Sequence, residues 1–166
     1  QNKRRQHQGG NRVLLIDAGY RVRGYGSDIT RTSVSKDIHP VFNALLVGME
    51  SIKDKLVATV RPGLSYVDLH LTALEEIAEL LTHLDICQGT AFELLEQEIV
   101  NRFMPHGVGH LLGIQVHDVA GHQQNLRGDI LVPPAHSPML RHTRQCAESM
   151  VFTIEPGCYF IPLLLE

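Results

Sequence analysis

Apolar residues recur every three or four positions in three stretches of the chain, which is the spacing of one face of an α-helix. The first stretch covers Pro40–Val60 and ends at an Arg-Pro-Gly sequence, and the second covers Ser65–His83. Ser65 has an Asp three positions later, which is the spacing of a capping box with Asp in place of Glu. The third stretch covers Ala91–Phe103. We therefore predict three helices whose apolar faces form the core.

Two short runs that favour β-structure precede these helices. Arg12–Asp17 is largely apolar, Gly19–Gly26 holds three glycines, and Ser27–Ser33 carries Thr and Ile. This order predicts a hairpin of two strands with a bulged or widened end.

The chain changes character again after the helices. Asn125–Arg144 is rich in Pro, His and Arg and predicts a long surface loop. Ser149–Glu155 predicts a strand that ends at a Pro-Gly pair, and Cys158–Leu165 begins as a further strand. A hairpin, then helices, then further strands predict the α+β fold class.

Composition excludes several classes of protein. A length of 166 residues suits one domain, and 43% hydrophobic with 20% charged residues is ordinary for a globular chain rather than a disordered one. The formal net charge of −3 argues against nucleic acid as a partner. No apolar run is long enough for a membrane span, so no membrane partner is expected. Three widely spaced cysteines predict reduced thiols in the cytoplasm. Residues 1–11 are polar and basic, which predicts a flexible or non-native lead-in.

Two aspartates flank the glycine-rich turn of the predicted hairpin. Asp17 ends the first strand and Asp28 begins the second, so both carboxylates can face one pocket. Bringing two anions together is unfavourable without a cation or a shared proton. Either Asp alone is adequately explained as a turn residue.

Histidines and a glutamate add to these carboxylates. The chain holds 10 His, and His106, His110 and His117 lie in a glycine-rich segment that is not helical in pattern. Their alternative role is that of partly buried, hydrogen-bonded imidazoles. Glu155 ends an apolar run, where an unpaired charge is costly; its partner is either a metal or one of the arginines Arg141 and Arg144. Oxygen-rich ligation with an imidazole suits Mn²⁺ or Co²⁺ better than a thiolate zinc site, and bridging carboxylates suggest two ions about 3.5–4 Å apart.

Three segments in order carry a family resemblance. Leu15–Thr32, Phe103–Gly121 and Phe152–Ile161 resemble the catalytic domain of Xaa-Pro dipeptidases, or prolidases. The resemblance is strongest to the bacterial branch that includes the organophosphorus acid anhydrolases. These enzymes are pita-bread metallopeptidases, together with aminopeptidase P and methionine aminopeptidase. The resemblance implies an α+β pita-bread catalytic domain and hydrolysis of Xaa-Pro dipeptides by a hydroxide held between two metal ions.

The resemblance also implies roles for individual residues. Asp17 resembles a ligand of one metal and Asp28 the ligand that bridges both metals. His110 and Glu155 resemble ligands of the second metal, and Glu155 also resembles a group that moves protons. Thr30 resembles a residue that lies beside the bridging Asp without binding metal.

Substrate-side roles follow in the same way. His117 resembles the histidine that contacts substrate and steadies the tetrahedral intermediate, and His106 resembles a second histidine on that side. Arg141 resembles the arginine that binds the carboxylate of a C-terminal proline. Without the resemblance, Arg141 would be interpreted as a solvated loop cation.

The chain also departs from the family pattern. The family's fifth metal ligand, a Glu in an Arg-Ile-Glu motif, does not occur before Glu166. We therefore expect residues 12–166 to be a partial catalytic domain that lacks an N-terminal domain and the closing C-terminal strands, and this chain alone to have doubtful activity.

The resemblance leaves alternatives and further expectations. The alternatives are an aminopeptidase P-like activity on longer Xaa-Pro peptides and a non-catalytic pita-bread binding module. The expected metal is Mn²⁺, with Co²⁺ or Zn²⁺ as substitutes, and organophosphate hydrolysis is a possible side activity. The family implies a homodimer in the full-length protein.

Overall fold

A computed structural model describes residues 12–165. The expectation for residues 1–11 therefore lies outside the described part of the chain. Strands β1 (Val13–Ala18) and β4 (Ile29–Val34) pair antiparallel, as the sequence predicts. Between them, β2 (Arg21–Val22) pairs with β3 (Tyr25–Gly26) and forms the widened end of the hairpin. The two residues that join β2 to β3 both have positive φ, which is the backbone of a tight hairpin turn.

Two long helices form most of the core. Helix α1 covers Pro40–Thr59 and helix α2 covers Tyr66–His83, close to the predicted bounds. The Ser65 side chain accepts a hydrogen bond from the Asp68 N–H at 3.3 Å, which caps α2 as expected. Helix α2 is central, and its inward face is fully buried. No helix of the described residues has the length and apolar character to span a bilayer.

The prediction of one helix over residues 91–103 was wrong. The chain forms α3 (Ala91–Glu96) and α4 (Ile99–Phe103), separated by Gln97 and Glu98. Glu98 has φ 54° and ψ 24°, so it lies in the left-handed region and stops helical propagation. The break allows apolar side chains of both short helices to be buried in the same core. Apolar spacing does not detect one left-handed residue.

The predicted strand over residues 149–155 was also wrong, although residues 151–155 pair with another segment. They run antiparallel to 108–112, with Leu112 N–H donating to Val151 O and Glu155 N–H donating to Val108 O. A regular ladder would also join His110 N–H to Thr153 O. That carbonyl instead accepts from the Tyr66 hydroxyl, and only an isolated bridge forms.

The strand predicted to begin at Cys158 is absent from the described residues as well. Tyr159 N–H donates to Phe103 O at the end of α4, which ties this segment to a helix rather than to a sheet. The last described element is the helical turn α5 (Pro162–Leu165), where Pro occupies the first position, as helices allow.

The loop over residues 125–144 forms no regular element, as predicted, but it is not wholly at the surface. His142 and Thr143 are fully buried, and Leu140 belongs to the core. The hairpin shows the opposite departure from expectation. Leu14, Leu15 and Ile16 of β1 are 58%, 49% and 53% exposed, so both faces of the hairpin are uncovered by the described residues.

Candidate metal centre

Three potential ligands from three separate segments converge at one point. One ligand atom each from Asp28, His110 and Glu155 lies within 4.8 Å of the others. His110 Nε2 is 3.1 Å from Glu155 Oε1 and 3.3 Å from Asp28 Oδ2. The hairpin supplies the first carboxylate, the glycine-rich segment supplies the imidazole, and the extended segment after it supplies the second carboxylate.

The His110 ring is held in an orientation that suits a metal ligand. Nδ1 lies 2.8 Å from Leu111 O, so in the tautomer that satisfies this carbonyl Nδ1 carries the hydrogen. Nε2 then presents a lone pair toward the two carboxylates. It is buried and has no properly directed hydrogen-bond partner among the described residues. A buried nitrogen lone pair facing two anions is the donor set that a divalent cation satisfies, so these residues fit a metal.

The charges at the site perturb one another. Burial raises the pKa of Asp28, and the nearby carboxylates of Glu155 and Asp17 raise it further. Burial also opposes ionisation of Glu155, but contacts with His110 and Thr153 outweigh it and lower the pKa of Glu155. Burial disfavours protonated His110, yet the contact with Glu155 raises the pKa of His110 overall. Without a metal, a proton on the His110 imidazole offsets part of the negative charge of Asp28 and Glu155.

Asp17 lies beside this trio rather than within it. Its side chain is exposed and lines a cavity of about 370 Å³ together with Asp28 and His117. It is close enough to Asp28 to hydrogen-bond with that carboxyl group. Thr30 pairs directly with Asp17 across the hairpin, so the two side chains share a face.

The two other candidate histidines differ in their surroundings. The His117 ring packs edge-on against His110, with centroids 4.4 Å apart. Burial lowers the pKa of His117, and His110 and Arg141 lower it further. His106 Nδ1 contacts Gly107 O, while its Nε2 is buried and without a hydrogen-bond partner among the described residues. The His106 ring packs against Tyr159.

Among the described residues, Arg141 is held by backbone contacts and its side chain forms no hydrogen bond or ion pair. A Cβ built on Gly121 would lie 2.0 Å from Arg141 O, so only glycine allows this approach. His122 Nε2 lies 2.9 Å from the carbonyl of Leu140, the preceding residue. Among the described residues, Glu155 pairs with neither of the arginines that the sequence offered as partners. The exposed Arg141 guanidinium is thus available to a ligand beside His117.

Sequence reasoning missed residues that support the candidate ligands. Thr153 and Tyr66 contact each other and the ligand segments, although they are far apart in sequence. The one available signal was Thr153 itself, a hydroxyl in an apolar run two positions before Glu155. Tyr66 gave no signal because it reads only as the first apolar residue of a helix.

Comparison with known proteins gives consistent relatives. The profile of metallopeptidase family M24 matches residues 2–164. The chain is 46% identical over 153 residues to the Xaa-Pro dipeptidase of Shewanella piezotolerans, covering 92% of this chain and 34% of that protein. It is 51% identical over 156 residues to the Xaa-Pro dipeptidase of Marinobacter nauticus, covering 93% and 34%. The chain thus spans about a third of the length of these curated relatives.

Solved structures give the same architecture. A variant of Escherichia coli Aminopeptidase P with a His replaced by Ala matches with a TM-score of 0.74 and 28% identity, covering 90% of this chain and 31% of that one. The Zn-substituted enzyme in complex with product matches with a TM-score of 0.73 and 28% identity, covering 92% and 32%. The α+β pita-bread fold expected from the sequence is therefore confirmed.

Proposed function

The chain belongs to metallopeptidase family M24, and from that premise we propose that the protein hydrolyses Xaa-Pro dipeptides and releases C-terminal proline. One observation carries the proposal: Asp28, His110 and Glu155 converge within 4.8 Å around a buried nitrogen lone pair. The dipeptidase names of the relatives at 46% and 51% identity support the choice of substrate.

In this proposal, Asp17, Asp28, His110 and Glu155 hold two divalent ions. Such ions, when bound, lower the pKa of a water molecule and polarise the scissile carbonyl. Two of the Escherichia coli Aminopeptidase P variants replace aspartates that have the same separation along the chain as Asp17 and Asp28, which supports this assignment. Thr30, which is opposite Asp17 in the hairpin and two positions after Asp28, is proposed to support the bridging carboxylate of Asp28 without binding metal.

Glu155 moves the proton in the proposed reaction. Its lowered pKa keeps it ionised near neutral pH, so it can accept a proton from the attacking water and deliver it to the proline nitrogen that leaves. His117 faces the same space and donates a hydrogen bond to the oxygen on which negative charge develops. His106 lies near enough to Glu155 to affect its charge, and it lines the substrate side.

Arg141 selects the length of the substrate. A guanidinium binds a carboxylate through two parallel hydrogen bonds, and a dipeptide places its terminal carboxylate next to the scissile bond. A longer peptide has an amide at that position, which offers Arg141 one neutral acceptor oxygen in place of two charged ones. This role favours a dipeptidase over an aminopeptidase.

We also propose finer features of the same function. Two or three carboxylates with one imidazole favour Mn²⁺, with Co²⁺ or Zn²⁺ able to substitute. Three free cysteines agree with a cytoplasmic location. The described residues are proposed to be part of a catalytic domain in a longer protein, since the relatives are about three times as long. That the longer protein is a homodimer is proposed from the family resemblance alone.

The test is proline release from Ala-Pro by the intact protein, before and after removal of metal with a chelator and again after addition of Mn²⁺. The tripeptide Ala-Pro-Ala is assayed in parallel. We expect metal-dependent cleavage of the dipeptide and little cleavage of the tripeptide. Preference for the tripeptide would support an aminopeptidase P-like activity instead. Metal-independent cleavage would contradict the proposal, and absence of cleavage despite bound metal would support a binding module.

A further inference from the structure

Thr153 lies between two of the candidate metal ligands and contacts both. Its Oγ1 accepts a hydrogen bond from the His110 N–H at 3.0 Å and lies 2.9 Å from Glu155 Oε1. The hydroxyl also lies 3.5 Å from His110 O. Because a hydroxyl has one hydrogen, it donates to the nearer and charged acceptor, Glu155. One side chain therefore connects the backbone of one ligand to the carboxylate of the other.

The Thr153 backbone is itself fixed. Its N–H donates to His110 O at 2.9 Å, and its carbonyl accepts from the hydroxyl of the fully buried Tyr66 at 2.6 Å. A Cβ built on Gly109 would lie 2.3 Å from Thr153 O and 2.4 Å from the Tyr66 hydroxyl, so glycine permits this contact. The Thr153 N–H bond, the Thr153 carbonyl bond and the close approach of Gly109 together fix the backbone from which the hydroxyl projects.

This geometry replaces a ladder hydrogen bond with a side-chain one. In a regular antiparallel pair, the His110 N–H would bond to the Thr153 carbonyl. Here that carbonyl is used by Tyr66, and the His110 N–H bonds to the Thr153 hydroxyl instead. The exchange leaves the hydroxyl hydrogen directed at Glu155.

We propose that Thr153 is a positioning residue for the candidate metal centre, because its hydroxyl links the His110 backbone to the Glu155 carboxylate so that both ligands face one ion. The metal part of this inference rests on the proposed function, whereas the link itself belongs to the metal-free protein. Thr153 does not bind metal or substrate; it acts through the two ligands.

The test compares Thr153→Val with Thr153→Ser in the intact protein. Valine keeps the branched shape and removes the hydroxyl, whereas serine keeps the hydroxyl and removes the methyl group. We expect Thr153→Val to weaken Mn²⁺ binding by about 10- to 100-fold in calorimetric titration, the usual loss when a partner of a ligand is removed. Thr153→Ser is expected to bind Mn²⁺ nearly as tightly as the parent.

A second measurement does not require metal. Hydrogen exchange of the His110 amide, followed by NMR in chelator with isotopically labelled histidine, reports directly on the bond to Thr153. We expect faster exchange in Thr153→Val and unchanged exchange in Thr153→Ser, with thermal unfolding confirming that both variants are folded.

The outcomes separate the two proposals. Unchanged amide exchange and unchanged Mn²⁺ affinity in Thr153→Val would overturn the role of Thr153, as would an equal loss of affinity in Thr153→Ser. A parent protein that binds no Mn²⁺ would overturn the proposed metallopeptidase function. Faster exchange in Thr153→Val would then still support the structural link, and unchanged exchange would still overturn it.

Discussion

At Asp28, the stability of the metal-free protein conflicts with the proposed binding of metal. Its carboxylate lies beside those of Glu155 and Asp17. Burial and these neighbouring carboxylates raise the pKa of Asp28, so its ionised form is unfavourable in the metal-free protein. A divalent cation removes that penalty, and the site is therefore costly when empty and stable when filled.

The substitution Asp28→Asn tests this conflict, because it removes the negative charge and keeps the size of the side chain. We expect the variant to unfold at a higher temperature than the parent in chelator, because a repulsive charge has been removed. We also expect added Mn²⁺ to raise the unfolding temperature far less than in the parent. Thermal unfolding with and without Mn²⁺ measures both effects. Glu75→Gln on the exposed side of α2 is the matched control; an equal response there would contradict the explanation.

Arg141 offers a residue-scale test of substrate length. Under the proposed function, Arg141→Gln should raise KM for Ala-Pro more than it lowers kcat, because it removes a carboxylate contact outside the reacting bond. Loss of one charged hydrogen-bonding partner corresponds to about 1.5–3 kcal/mol, or roughly 10- to 150-fold. The Ala-Pro amide, which has no carboxylate, should respond little to the substitution. Equal effects on both substrates would argue against carboxylate binding.

At the scale of elements, the sequence predicts features that depend on a periodic apolar pattern or on neighbouring residues. The bounds of α1 and α2 follow from apolar spacing, and Ser65 caps α2 as its position suggests. The candidate ligands that converge in the structure could be singled out from the sequence because each lies in a short motif with unusual chemistry. The broken ladder between 108–112 and 151–155 was not predictable, because it depends on Tyr66, a residue distant in sequence.

The break between α3 and α4 allows a test at this scale. Glu98 adopts a left-handed backbone that costs a side-chain-bearing residue roughly 1–2 kcal/mol. Glycine avoids this cost, although its greater freedom in the unfolded chain offsets part of the gain. We expect Glu98→Gly to raise the free energy of unfolding by roughly 0.5–1 kcal/mol in urea denaturation. Glu98→Ala keeps the strain and removes the same charge; a similar gain there would contradict a backbone origin.

At the scale of the whole molecule, two histidines of the described residues, His70 and His142, are buried outside the candidate centre. Burial lowers the pKa of His70 and of His142 to about 4 each, from an ordinary value of 6.5. The His70 Nε2 atom lies 2.8 Å from Ser137 Oγ, and the His142 ring packs against Tyr66 and Phe152. Both imidazoles are therefore neutral in the folded protein at neutral pH.

This difference predicts how stability depends on pH. Between pH 6.5 and about 4 the unfolded chain binds protons at these histidines and the folded chain does not. The free energy of unfolding should therefore fall as pH decreases through this window, and these groups contribute no further change below it. Each pKa unit corresponds to about 1.4 kcal/mol.

Urea denaturation in chelator across this pH window measures the effect. His142→Phe keeps an aromatic ring and removes the titrating group, so its stability should depend less steeply on pH than that of the parent. Asn43→Gln on the exposed side of α1 removes no titrating group and should leave the slope unchanged. A parallel profile for His142→Phe and the parent would show that the acid sensitivity has another source, such as the carboxylates of the candidate centre.

The uncovered hairpin has a consequence for how the chain behaves at high concentration. Both faces of β1 present large aliphatic side chains to solvent, and two-stranded sheets leave backbone N–H and C=O groups free at their edges. Asp17 lies at the end of that strand, so the hairpin that carries a candidate ligand is also prone to self-association. Crowding the isolated chain would favour strand-to-strand association between molecules, and such association would draw the hairpin that carries the candidate ligands Asp17 and Asp28 into aggregates.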